Sequence, residues 1–589
     1  MHFGPKAIPT GTRFDFWAPD LAEVTLVADG GDVAMRRSED GWFTADTTLQ
    51  PGDPYAFRLP DGIVVPDPAS RAQQNGVHGP SLVPHAIATD AAWRGRPWHE
   101  AVLYELHLGT FTGEGTLAAA AEKLEALAEL GITAVELMPL AAFTGRRGWG
   151  YDGVLPYAVQ ESYGTPGDLA AFVARAHELG LMVFLDVVYN HFGPDGNFLG
   201  RYASPFFRDD VATPWGAAID FREPHVRSFF IENALFWLET YGIDGLRLDA
   251  VHAIVDDAEK HVLIELAHAV RQRFAGKRQV HLVLENEDNI ARWLNAPGPG
   301  DLYDAQWNDD WHHVAHVIAT GETDGYYRDY ADDRVGLLVR SLESGFVYQG
   351  EPSPHRDGAL RGERSAHLGP TAFVDFLQNH DQIGNRAFGE RLTRLAPAEA
   401  LTALQTVLLL GVHVPLLFMG EEWGATTPFL FFCDFEGPLA DAVREGRRNE
   451  FGKFAAFADP AVRASIPDPL APATFEASRL DWSEAEREQH EDHRRLVRRL
   501  LAIRREHIVP GLQGMAPGAS AMRHGASGFT LAWRLANRRT LTLQANLGPK
   551  PVPGFPPLPG RCLHASHETD PLADLRPAWS VAAGLGEPS

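Results

Sequence analysis

The sequence is short of cysteine, of positive charge and of long apolar runs, and each shortage removes a class of protein. Only Cys433 and Cys562 occur in 589 residues, far apart and in unlike surroundings. They cannot build a disulfide framework or a cysteine zinc site, which suits a reducing, cytoplasmic setting. Lys and Arg number 52 against 78 Asp and Glu, a formal net charge of −26, with no basic stripe. Phosphate backbones and anionic membranes are gripped by clustered Lys and Arg, so no nucleic-acid or membrane partner is expected. No run of about 18 uninterrupted apolar residues occurs, so no spanning helix is expected. Residues 1–20 lack the charged and then apolar pattern of a secretory leader. Internal repeats and low-complexity tracts are also missing.

What is there is ordinary for a globular protein: 45% of residues are hydrophobic. The chain is too long for one hydrophobic core, so several domains are expected. Residues 1–85 carry short β-type runs such as Thr12-Arg13-Phe14-Asp15-Phe16-Trp17, separated by Gly, Asp and Pro clusters. Pro66-Asp67-Pro68-Ala69-Ser70 and Asn75-Gly76-Val77-His78-Gly79-Pro80 read as a linker. From about residue 100, strand and helix patterns alternate, the mark of a parallel α/β fold. Thr165-Pro166-Gly167-Asp168 reads as a helix cap with proline at the first turn. Beyond about residue 515 strand-like runs return, among them Phe529-Thr530-Leu531-Ala532-Trp533. The expected fold is α/β: a (β/α)8 barrel over residues 89–510. An N-terminal, immunoglobulin-like β-sandwich over 1–88 and a C-terminal β domain over 511–589 would flank it.

Four apolar runs end in polar residues of catalytic type. They are Phe184-Leu185-Asp186-Val187-Val188-Tyr189-Asn190-His191, Gly245-Leu246-Arg247-Leu248-Asp249, His281-Leu282-Val283-Leu284-Glu285, and Phe373-Val374-Asp375-Phe376-Leu377-Gln378-Asn379-His380-Asp381. Arg247 and Asp249, two apart, share one face of a strand. A lone Asp at a strand end is more often a cap or loop anchor, but four such ends in barrel order leave chance a poor account. In a parallel barrel, function gathers at the C-terminal strand ends. Asp249 and Glu285 at neighbouring ends would supply the two carboxyls that acetal cleavage needs, about 5–5.5 Å apart in a retaining enzyme. Arg247 would keep Asp249 ionised, and the apolar run before Glu285 would keep that acid protonated. Asp381, beside His380, would grip sugar hydroxyls. Glu287 is the fallback acid.

These segments, in this order, resemble the four motif regions of the α-amylase family of glycoside hydrolases and transferases. The resemblance implies Asp249 as nucleophile, Glu285 as acid/base and Asp381 as transition-state stabiliser. Tyr151, His191, Arg247, His252, Trp307, Asn308, Asp309, His380, Gln382 and Asn385 are the expected substrate contacts, with Tyr151 as a stacking platform. Residues 307–310 are expected to form a sugar-binding loop, and Trp215 either lines the cleft or sits in the core. Many family members have His-Gly-Tyr where this chain has Trp149-Gly150-Tyr151. Asn190 matches a position that often binds calcium in the family, but acidic ligands around it are not evident, so no metal or organic cofactor is expected.

Within the family the chain is most similar to members that cleave the α-1,4 bond beside a terminal trehalose of malto-oligosyl trehalose. Gly145-Arg146-Arg147-Gly148-Trp149-Gly150-Tyr151-Asp152 and Ala305-Gln306-Trp307-Asn308-Asp309-Asp310 carry this likeness. It implies α-glucan substrates and, as pathway partner, an isomerising enzyme that forms malto-oligosyl trehalose. The alternatives are a 1,4-α-glucan branching enzyme and a non-catalytic glucan-binding relative.

Overall fold

The computed structural model describes residues 2–89, 92–213, 215–294, 302–451, 459–567 and 574–588. Its centre is a closed barrel of eight parallel strands paired in chain order. These are β1 (Leu103–Leu106), β2 (Ala134–Leu137), β3 (Met182–Val187), β4 (Gly245–Leu248), β5 (His281–Leu284), β6 (Ala305–Trp307), β7 (Phe373–Phe376) and β8 (Val414–Phe418). All eight are buried along their whole length, which is why they read as continuous apolar runs rather than alternating ones.

The helices between them are held by the devices that their sequences announce. The helix Pro166–Glu178 starts with a capping box, in which Thr165 Oγ1 accepts from the Asp168 backbone N–H at 3.2 Å and the Thr165 N–H donates to Asp168 Oδ2 at 2.8 Å. Its Leu169, Phe172, Val173 and Ala176 face inward. Register then sets the site. Asp186 of β3 pairs with Arg247 of β4, and Leu248 pairs with Leu284 of β5. Asp249 and Glu285, one residue further on each strand, therefore stand side by side at the rim.

The N-terminal residues form two antiparallel sheets. Gly11–Trp17 and Trp42–Thr47 lie in one; Thr25–Ala28 and Pro54–Arg58 lie in the other. Phe16 stacks on Phe57 at 4.1 Å and Phe14 meets Tyr55 at 4.5 Å between them, the interdigitated core of a sandwich. A five-stranded antiparallel sheet closes the chain, in the order Ser520–His524, Gly528–Arg534, Thr540–Asn546, Ser580–Leu585, Arg561–Ala565.

Two expectations are corrected here. Residues 66–80 are no loose linker. Asp67, Ser70, Arg71 and Gln73 are buried, Tyr55 donates to Asp67 at 2.9 Å, and Arg71 lies 4.3 Å over Tyr157 and 4.1 Å over Phe236. Polar residues placed to fasten the sandwich to the barrel look like linker composition. The sugar-binding loop expected at residues 307–310 is also absent: Trp307 ends β6, and Asp309 opens the helix Asp309–Thr320. A three-residue strand is too short to show any period in sequence.

Candidate active site

One arginine organises the barrel mouth. Arg247, fully buried, donates through Nη1 to Asp186 Oδ2 at 2.6 Å and to Asp249 Oδ1 at 2.9 Å, and through Nη2 to Glu285 Oε2 at 3.0 Å. Below it, the ring of Trp307 lies 4.2 Å from the guanidinium carbon. A buried cation needs such partners, and its planar fork can hold three acids at fixed angles.

The two carboxyls that share this guanidinium are driven to opposite protonation states. Burial opposes charge on Asp249, but Arg247, the Asn190 amide at 2.9 Å and His191 together take its pKa below the ordinary carboxylate value. Burial, with the Asp249, Asp381 and Asp309 carboxylates nearby, pushes Glu285 well above the ordinary value in spite of Arg247. Glu285 Oε2 also accepts the Ala250 N–H at 2.6 Å, so both donors fall on one oxygen and the proton belongs on Oε1. Ala250 holds that N–H in place with φ of +40°, a left-handed conformation that a non-glycine residue adopts at some cost.

The fourth motif enters from β7. Asn379 caps the short helix His380–Gly384 by accepting from the Asp381 N–H at 2.9 Å. Asn385 donates to Asp381 Oδ1 at 3.2 Å, and His380 Nε2 lies 3.5 Å from the same oxygen. His380 Nδ1 meets Glu105 of β1 at 2.5 Å. Burial works against a charged imidazole, but Glu105 and Asp381 outweigh it and raise His380 to about 9, so both ring nitrogens carry protons at neutral pH.

Tyr151 reaches the same centre from the segment after β2. Its hydroxyl donates to Asp186 at 2.6 Å and its ring stacks on His380 at 5.0 Å. Gly150 makes this possible: φ is +103°, and a Cβ there would stand 2.4 Å from the Pro139 carbonyl oxygen. Trp149, where the family pattern has histidine, is buried, donates to the Leu430 carbonyl at 3.0 Å and meets His380 edge-on. His191 bonds the Tyr151 carbonyl at 3.0 Å and carries Trp215 stacked on its face at 4.7 Å. Trp215 is 48% exposed, so it belongs to the cleft side and not to the core.

Beside Glu285 and Asp381 opens a cavity of about 400 Å³, lined also by Glu287, Asp309, Gln382 and Asn385. Tyr326, His355, Arg356 and Arg361 complete its wall together with His313 and Asp329, and Arg356 donates to Glu287 at 3.1 Å. Asp309, pushed up to about 7 by burial, faces this space. His252 lies 3.9 Å from Glu287, outside the cavity lining. Among the described residues, no group of three or more His, Cys, Asp or Glu side chains is arranged to hold a metal ion.

Proteins of known family resemble this chain over most of its length. Residues 75–205 match the alpha amylase catalytic domain model, and residues 517–583 match a domain of unknown function. A malto-oligosyltrehalose trehalohydrolase of Deinococcus radiodurans is 44% identical over 85% of this chain and 82% of its own length. One from Saccharolobus solfataricus is 40% identical over 86% and 87%. The chain belongs to the malto-oligosyltrehalose trehalohydrolase family. A crystal structure of a candidate alpha amylase from Salmonella typhimurium superposes with a TM-score of 0.94, at 44% identity over 99% of both chains. A 1,4-alpha-glucan branching enzyme of Bacillus caldolyticus is 31% identical over 75% of this chain and 69% of its own.

Measured against this trehalohydrolase-family site, the expected contacts divide. The structure brings Asp249, Glu285, Asp381, Tyr151, His191, Arg247 and His380 to one mouth and Asp309, Gln382 and Asn385 to the cavity, while His252 does not line it and only approaches Glu287. Trp307 and Asn308 are corrected: both are enclosed, Trp307 beneath Arg247, and Asn308 donating to Asp375 at 2.9 Å. They hold strand ends instead of touching a ligand. Arg447 is enclosed as well, 9% exposed and donating to the Gly384 carbonyl at 2.8 Å. The sequence reading missed Tyr326, His355 and Arg356, which sit in segments with no period or motif. Glu136 of β2 also went unremarked, a carboxyl buried in the barrel under Arg247 and Asp186.

Proposed function

We propose that Asp249 is the nucleophile and Glu285 the acid/base of a retaining glycoside hydrolase that releases trehalose from malto-oligosyl trehalose. The observation that carries this is the single guanidinium of Arg247 holding an ionised Asp249 and a protonated Glu285 side by side. Glu285 Oε1 gives its proton to the glycosidic oxygen while an Asp249 oxygen attacks the anomeric carbon, so the C–O bond breaks and a glycosyl ester forms. Glu285, now a carboxylate, takes a proton from water, whose oxygen cleaves the ester and frees the glucan. Asp381 accepts hydroxyl hydrogens of the reacting sugar. His380, charged, and His191 fix the same ring, and Tyr151 stacks beneath it.

A general acid touches the leaving group, so the cavity that opens on Glu285 and Glu287 receives the departing trehalose. Trehalose is short, and Tyr326, His355 and Arg356 line the space of about 400 Å³ that it enters. The substrate class is α-glucan with a 1,1-linked end, supplied by an enzyme that isomerises the reducing end of a glucan. Cys433 and Cys562 are free and suit a cytoplasmic setting. No helix of the described residues is long and apolar enough to cross a membrane.

The test is product analysis with maltotriosyl trehalose and, separately, maltopentaose. Trehalose with maltotriose, and little action on maltopentaose, is the expected result. Cleavage or chain transfer on maltopentaose without trehalose release would reassign the protein to the amylases or branching enzymes.

A further inference from the structure

Asp310 is fully buried and does not line the cavity. Its carboxylate is nevertheless where the segments of the cavity wall meet. Oδ2 accepts from Asn289 Nδ2 at 2.8 Å and from the backbone N–H groups of Val347 at 2.7 Å and Tyr348 at 2.9 Å. Oδ1 accepts from the Tyr330 hydroxyl and faces Arg361 Nη1 at 3.0 Å. Arg361 in turn donates to the Glu287 carbonyl at 2.8 Å and to the Tyr330 hydroxyl at 2.6 Å.

Each bonded group anchors a segment that carries a cavity residue. Asn289 and the Glu287 carbonyl fix the segment after β5, which carries Glu287. Asp310 itself follows Asp309. Tyr330 ends the helical turn Gly325–Tyr330, which carries Tyr326. Val347, Tyr348 and Arg361 bracket the segment that carries His355 and Arg356. These segments lie outside the barrel ladder, so directional hydrogen bonds decide where they stand. A buried ion pair is a weak source of net stability, since an apolar replacement often does as well. Its use here is geometric: one anion that accepts from two backbone amides, an amide side chain and a phenol, and pairs with a guanidinium, admits one arrangement of four segments.

We infer that Asp310, with Arg361, is a positioning residue that sets the bond choice of the enzyme, by fixing the wall against which the 1,1-linked end is measured. This rests on the reading of the cavity as the trehalose site. The Asp249 and Glu285 chemistry is held separately, by Arg247, so the two properties are separable by substitution.

The experiment measures kcat and KM for maltotriosyl trehalose and for maltopentaose in the wild type, Asp310→Asn and Tyr330→Phe. Asp310→Asn keeps the shape, removes the charge and turns one acceptor into a donor that faces donors. The ratio of kcat/KM values should fall about tenfold or more, through a raised KM for the trehalosyl substrate, with kcat on maltopentaose held within about twofold. Parallel losses on both substrates, or an unchanged ratio, would overturn the inference. Tyr330→Phe removes a single O–H and covers the case in which Asp310→Asn does not fold. It should lower the ratio about threefold with an unchanged circular dichroism spectrum, and an unchanged ratio there would overturn the inference equally. A wild type without preference for the trehalosyl substrate sinks the trehalose reading and this inference together. A preference that both variants keep sinks only the role of Asp310.

Discussion

Replacing Arg247 by lysine keeps a positive charge and removes the fork, which makes it a sharp test of the site. Arg247 spends two nitrogens on three acids, at 2.6, 2.9 and 3.0 Å, with Trp307 stacked below. A lysine ammonium is a single point on a flexible stem and reaches one side of that array. At least two hydrogen bonds to charged groups are lost, each worth roughly 1.5–3 kcal/mol. If about 3–4 kcal/mol of this is expressed in the transition state, kcat falls roughly 200- to 1000-fold. The pH profile carries the diagnostic sign. Arg247 lowers the pKa of Asp249 and also opposes the rise of Glu285. Drawing the charge away raises both, so the acid limb and the basic limb of kcat/KM move together to higher pH. The assay is trehalose release from maltotriosyl trehalose from pH 4 to 10, with thermal unfolding recorded in parallel. A loss below about tenfold with both limbs in place would refute the argument, as would limbs that move in opposite directions.

Other perturbations separate the remaining roles. Asp249→Ala should lower turnover by about 10⁴-fold or more while the substrate still binds, measured by calorimetry against single-turnover rates; near-normal turnover would sink the nucleophile assignment. Trp215→Ala should raise KM about fivefold with kcat within about twofold, and Trp215→Phe should recover most of it, because the exposed ring offers a stacking face. A fall in kcat alone would count against that role. His380 is raised to about 9 by Glu105 and Asp381 against burial, above the ordinary imidazole value near 6.5. Its contribution to stability is therefore complete below about 6.5 and is lost as pH climbs through about 9. The wild-type melting temperature should decline across that window, and Glu105→Gln should flatten the decline; an equally steep decline in the variant would show that the pair is not its source.

The strand ends were legible because two signals coincide there: an apolar run that must be buried on both faces, and charged residues that burial does not tolerate without partners. That logic places Asp249, Glu285 and Asp381 correctly at the ends of β4, β5 and just beyond β7. It fails at β6 for a physical reason. Ala305, Gln306 and Trp307 are too few to show a run, and Trp with Asn and Asp is also the composition of a sugar-gripping loop. The missed signal was the same one in miniature: a short apolar stretch closed by Asn308, which precedes a helix as Asn379 does after β7, though only Asn379 caps its helix with its side chain. The fastening role of residues 66–80 was hidden in the same way, since Asp67 and Arg71 look solvated until Tyr55, Tyr157 and Phe236 come around them.

Bond choice belongs to a different level of the molecule. The chemistry needs residues at adjacent strand ends, and barrel register delivers those from local sequence. The cavity that meets the leaving group is built from Glu287, Asp309, Tyr326 and Arg356, which come from four segments spread over about seventy residues and joined only in space. No spacing rule links them. They are joined by the ion pair of Asp310, which is fully buried, with Arg361, which reaches the cavity but is otherwise enclosed. A glucan hydrolase and a trehalose-releasing one can therefore share every catalytic strand end and differ in how a buried carboxylate gathers its loops. Substitution at that carboxylate should change which bond is cut before it changes whether a bond is cut.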